Sequence, residues 1–201
     1  MAITPTCSST VTYSSESAED SNVSFPLQIC ELTEAVFNYK FKNCEELRTD
    51  EFEFSGTPDV GEIPSFTSVG VGDCITMFGI GDDGSLFAWH SSTVEDGSDR
   101  EQTDKEIVLE ELNGYFSERG DAKDLQFDIY LVGGNGSELS NNLYEGMIAA
   151  IPEFFTDAAI IGEFINPTKN SEKSFITANF NAKGELYYYF HDEQSNESSE
   201  D

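Results

Sequence analysis

Two residues in this 201-residue chain have the types and spacing for nucleophilic chemistry: Cys74 and, sixteen positions on, His90. A thiol beside an imidazole can hand over its proton, and the thiolate that results attacks carbonyl carbon. Cys74 follows Gly70-Val71-Gly72-Asp73. Glycine lets a backbone come close to a substrate, and it leaves N–H groups around Gly72, Asp73 and Cys74 to face a developing oxyanion. Between the pair lies Gly81-Asp82-Asp83-Gly84, a turn that would close a hairpin and bring Cys74 and His90 together at its open end. Trp89 is expected in the core or as a wall of the substrate pocket. The plain alternative is that the cysteine and histidine only pack, as buried cysteines commonly do.

The elements that must position this pair can be read from periodicity. Phe66 to Phe78 is β-prone but broken by Gly70 and Gly72, and Ser85 to Ser91 returns as its hairpin partner. Phe37, Tyr39 and Phe41 alternate with polar residues and predict a strand, as does Glu51-Phe52-Glu53-Phe54. Residues 103–117 predict a helix opened by a Thr103/Glu106 capping box, with Val108, Leu112, Tyr115 and Phe116 on one face. A strand follows over 126–132, with Phe127, Ile129 and Leu131 inward. The glycine turn 133–136 then leads to a helix over about 139–155, striped by Leu143, Met147, Ala150 and Phe154. Residues 158–164, 175–180 and 186–190 predict three strands, the last two joined at Asn181–Gly184. The fold class is α+β, a mainly antiparallel sheet or sandwich core flanked by two helices. Residues 1–22 read as a flexible arm, 23–191 as one domain and 192–201 as a disordered acidic tail.

Composition narrows the function classes. Ten Lys+Arg against 39 Asp+Glu give a net charge of −29, which repels phosphate backbones and anionic lipid. Nucleic acid and membrane surfaces are therefore excluded as expected partners, and a basic protein is favoured. No apolar run approaches a bilayer span, and the N-terminus lacks the features of a secretory signal. A soluble monomer is expected, either cytoplasmic or exported by a route that uses no such signal. Cys7, Cys30, Cys44 and Cys74 form no CxxC pair and only two histidines are present, so no metal site is expected and thiols are expected over disulfides. The Gly133-Gly134-Asn135-Gly136 run is a strand-to-helix turn rather than a phosphate cradle.

At these same residues the sequence resembles a known family. Ser68-Val-Gly-Val-Gly-Asp-Cys74 is similar to the T-x-G-x-G-S-C motif of the CheD chemoreceptor glutamine deamidases, and Ala88-Trp89-His90 to the small-x-His at the end of their following strand. Tyr130 to Asn135 and the closing Asn179–Gly184 hairpin continue the likeness, so the order of elements agrees over about residues 66–190. The stretch Cys74 to His90 also resembles bacterial toxins of this superfamily, the Burkholderia lethal factor and the cytotoxic necrotizing factors.

The resemblance implies that Cys74 is the nucleophile, His90 the general base and Ser68 the hydroxyl that orients the imidazole, with no cofactor. It implies a target protein whose glutamine becomes glutamate. Two departures stand out: Ser68 replaces the family's Thr, and Asp73 replaces a small residue, where a carboxylate aimed at Cys74 would raise the thiol's pKa. The alternative is a catalytically silent deamidase fold that docks a basic partner. A papain-like protease would place its histidine far downstream of the cysteine, unlike here.

Overall fold

A computed structural model describes residues 28–92, 102–117, 119, 124–165 and 174–192. The predicted arm at 1–22 lies outside these residues, and so does the tail beyond Asp192, which itself ends a strand. Ten strands and three helices are described, in an α+β fold of two five-stranded mixed sheets.

In chain order the elements are β1 (Gln28–Glu31), α1 (Glu34–Phe41), β2 (Glu45–Leu47), β3 (Glu51–Phe54), β4 (Ser65–Val71), β5 (Ile75–Gly81) and β6 (Leu86–Ser91). There follow α2 (Asp104–Ser117), β7 (Phe127–Gly133), α3 (Glu138–Phe154), β8 (Ala158–Ile165), β9 (Ser174–Asn181) and β10 (Glu185–Asp192). The first sheet runs β1-β10-β9-β4-β2 and the second β3-β6-β5-β7-β8. Three of the pairings, β1/β10, β2/β4 and β7/β8, are parallel, and the rest are antiparallel.

The sheets pack face to face through an apolar layer in which Phe78 of β5 and Tyr130 of β7 meet Phe180 of β9, at ring separations of 4.9 and 4.8 Å. The other face of the second sheet is covered by α2 and α3. There Met77, Phe87, Trp89, Ile129 and Leu131 pack with Val108, Leu112, Phe116 and Met147. Strands buried on both faces explain why β5, β6 and β7 read as nearly continuous apolar runs. Phe127, Ile129 and Leu131 thus point at the helices, while Tyr130 and Val132 point into the sandwich.

The helix boundaries follow local chemistry. Thr103 and Glu106 form the expected capping box at α2: the Thr103 amide donates to Glu106 Oε2 at 2.7 Å, and the Glu106 amide donates to Thr103 Oγ1 at 3.4 Å. Ser137 caps α3 by accepting from the Ser140 amide at 3.2 Å.

The strand predicted at Phe37–Phe41 is instead α1. Phe37 and Phe41 are four apart as well as alternating, so both periods fit this stretch. The helix wins because it sets the two rings 4.8 Å apart on one face, against Tyr189 and Tyr187 of β10. Burying Phe37 there is worth about 2–3 kcal/mol. Lys40 adds a cation–π contact, its Nζ lying 3.4 Å from the Tyr187 ring centroid. A second correction concerns the cysteines: Cys30 is disulfide-bonded, whereas Cys44 and Cys74 remain thiols. No described helix is long and apolar enough to cross a membrane.

Candidate active site

The β-prone stretch 66–78 serves two sheets. β4 belongs to the first sheet and β5 to the second, and Gly72 and Asp73 carry the chain between them. The register of β4 on β9 slips between Ser68 and Val71, where Gly70 takes φ +70°. An irregularity of this kind bends a strand and redirects it, which starts the crossing. Gly72 is buried, and a Cβ there would meet the Phe175 ring at 2.8 Å, so this glycine also admits an aromatic neighbour.

The predicted β5–β6 hairpin is present. The Gly81 amide donates to the Ser85 carbonyl at 2.9 Å, and Asp83 Oδ1 accepts from the Ser85 amide at 2.9 Å. Thr76 stands directly opposite His90 and Ile75 opposite Ser91. Cys74 therefore falls two residues past the partner of His90, on the same face, which makes them diagonal neighbours with Cα atoms about 7–8 Å apart. A third strand supports this geometry. Gly134 donates its amide to the Cys74 carbonyl at 2.8 Å, which extends the β5–β7 ladder by one step. The Gly133-Gly134 pair takes φ +116° and +77°, and a Cβ on Gly133 would lie 2.7 Å from the Cys74 carbonyl oxygen. The glycine turn is a strand-to-helix turn, and it also holds the backbone of Cys74.

Ser68, on the facing sheet, reaches across the sandwich. Its Oγ lies 3.1 Å from His90 Nδ1 and 2.6 Å from Thr76 Oγ1. Ser68, Thr76 and His90 are all fully buried. Burial holds the His90 imidazole below its ordinary pKa. The Leu47 carbonyl and the carboxylates of Asp50 and Glu51 offset that only in part. His90 is therefore neutral near pH 7, with one ring nitrogen protonated and the other bearing a lone pair. Nε2 has no hydrogen-bond partner among the described residues.

Of the residues singled out in the sequence, the fold brings Cys74, His90 and Ser68 to the space between the sheets. Cys74 is half-buried at its edge and packs against the inter-sheet core. Gly72 and Asp73 form the bend just before it. Trp89 is not brought to this face: strand alternation turns it to the opposite side of β6, where it is fully buried beside Tyr115 of α2. Thr76 was missed. Its only signal is a hydroxyl in the otherwise apolar run Ile75-Thr76-Met77-Phe78, and register is needed to set it against His90. Among the described residues, no group of three or more His, Cys, Asp or Glu is placed to hold a metal ion.

No protein-family model matches this chain, and no curated protein matches it.

Proposed function

We propose that the protein is a cysteine-dependent glutamine deamidase acting on a partner protein. The observation that supports this reading most is the contact between Ser68 Oγ and His90 Nδ1 at 3.1 Å. It joins a hydroxyl six residues before Cys74 to the imidazole at the far end of the next hairpin, on the face that Cys74 shares. A hydroxyl on one ring nitrogen sets the tautomer and plane of the ring and leaves the other nitrogen for proton transfer.

The chemistry follows from those roles. His90 takes the Cys74 proton, and the thiolate attacks the carboxamide carbon of a glutamine side chain. The oxyanion is held by backbone N–H groups around Gly72, Asp73 and Cys74. Collapse breaks the C–N bond, and the imidazolium gives its proton to the departing ammonia. Water, deprotonated by His90, then hydrolyses the thioester, which leaves glutamate and restores the thiol. An amine in place of that water would give transglutamination by the same intermediate.

One observation favours a second reading. His90 is wholly buried, as a purely structural histidine would be, and the net charge of −29 suits docking to a basic protein without turnover. Both readings meet the same experiment. Candidate target proteins are incubated with wild-type or Cys74→Ser protein and mapped by mass. Deamidation appears as a Cys74-dependent gain of about one dalton at a specific glutamine, amide nitrogen having been replaced by oxygen through the thioester. No such gain, together with a Cys74 that resists iodoacetamide in the folded protein, favours the binding module.

A further inference from the structure

On the helix side of the second sheet, at the end of β6, lies a cavity of about 300 Å³. Its walls include Ser91 and Ser92 at the end of β6, Asp104, Ile107 and Glu111 of α2, and Leu143 of α3. Gly146 of α3 keeps the two helices close at this end, since a Cβ there would meet Asp104 at 2.9 Å. Ser91 pairs with Ile75, and Ser92, just past the strand, donates its amide and its hydroxyl to Asp50 Oδ1 at 3.1 and 2.7 Å. Ile75 faces this helix-side core, so Cys74, its neighbour in the chain, turns its side chain to the other face of the sheet.

The wall has a definite chemical character. Asp104 and Glu111 are its charged residues, and it includes no Lys or Arg among the described residues. Glu111 Oε2 is buried and has no hydrogen-bond partner among the described residues. A buried acceptor left unmatched is costly, an arriving donor recovers that cost, and a cationic donor bonds more strongly than a neutral one. Ile107, Val108 and Leu143 supply an apolar wall suited to an aliphatic stem. The volume sits at the small end for ligand pockets, room for one side chain rather than a large cofactor. Burial, with Asp50 and Glu110 nearby, raises the pKa of Glu111, in keeping with a carboxylate that lacks a counter-charge.

We propose that this cavity is a subsite for an arginine or lysine side chain of a partner protein. That the cation belongs to a deamidation target rests on the reading above; that the cavity binds a cation does not.

The test is a titration of the full-length protein with N-acetyl-arginine-N-methylamide, followed by ¹H–¹⁵N NMR, with the neutral citrulline analogue as control. Saturable shifts confined to Ser91, Ser92, Ile107 and their neighbours are expected, weakened about tenfold by Glu111→Gln, the loss of one charge-assisted hydrogen bond. Asn142→Trp, which fills the cavity from an exposed position on α3, should abolish them and decides the matter should Glu111→Gln fail to fold. The proposal is overturned by an absence of saturable shifts, by equal binding of the citrulline analogue, or by shifts that neither variant alters. A cation bound here with no Cys74-dependent mass gain on any target would sink the deamidase reading and leave the subsite standing.

Discussion

Ser68→Ala removes one oxygen atom from the centre of a buried polar cluster and orphans two others. Ser68 Oγ is 2.6 Å from Thr76 Oγ1 and 3.1 Å from His90 Nδ1, and all three residues are fully buried, so water cannot replace it. Each buried polar group left without a partner costs about 1–3 kcal/mol. Thr76 and His90 face each other across β5 and β6, so the threonine can turn toward Nδ1 and recover one bond. The expected loss is therefore about 2–4 kcal/mol, or roughly 1–2 M in the urea midpoint. Trp89 is the sole tryptophan and is fully buried, so its fluorescence follows unfolding without a label. Thr76→Val removes the outer hydroxyl but leaves Ser68 on His90, and should cost about 1 kcal/mol. Because both residues share one cluster, the double variant should lose less than the sum of the two. A Ser68→Ala midpoint within about 0.3 M of wild type, or costs that add within about 0.5 kcal/mol, would refute the cluster as described.

Two more outcomes follow. Since burial holds His90 below its ordinary pKa of about 6.5, the unfolded chain binds a proton before the native one does. The stability owed to a neutral imidazole is complete above about pH 6.5 and is lost as the pH falls toward the native pKa. The stability gap between wild type and His90→Gln should therefore shrink between about pH 7.5 and pH 5.5, and a constant gap would count against it. Gly133→Ala meets a positive φ and would press a methyl to 2.3 Å from Val71 and 2.7 Å from the Cys74 carbonyl. It should cost about 2–4 kcal/mol and change the rate of Cys74 alkylation, whereas Gly114→Ala, in open space on α2, should gain about 0.5–1 kcal/mol. Equal alkylation rates in wild type and Gly133→Ala would show that this turn does not hold Cys74.

Much of the frame was legible because its signals are local. The Gly81–Gly84 turn, the Thr103/Glu106 capping box and the Asn181–Gly184 turn each act through hydrogen bonds between residues a few positions apart. They could be read without knowing what else the chain touches. Phe37–Phe41 was misread as a strand because two periods fit it, and the choice between them was made by Tyr187 and Tyr189, far along the chain. Trp89 reads from the sequence as core or pocket wall, and the structure decides for the core, since adjacent residues in a strand face opposite ways.

The sequence by itself determined that Cys74 and His90 stand at the open end of one hairpin, since a tight turn and strand alternation set that geometry. Only the tertiary structure decided that Ser68 crosses from the other sheet to His90, that Thr76 completes the cluster, and that α2 and α3 leave a cavity at the end of β6. Those contacts depend on how two sheets and two helices pack, and packing is set by the summed fit of many distant side chains. No short stretch of sequence encodes that sum.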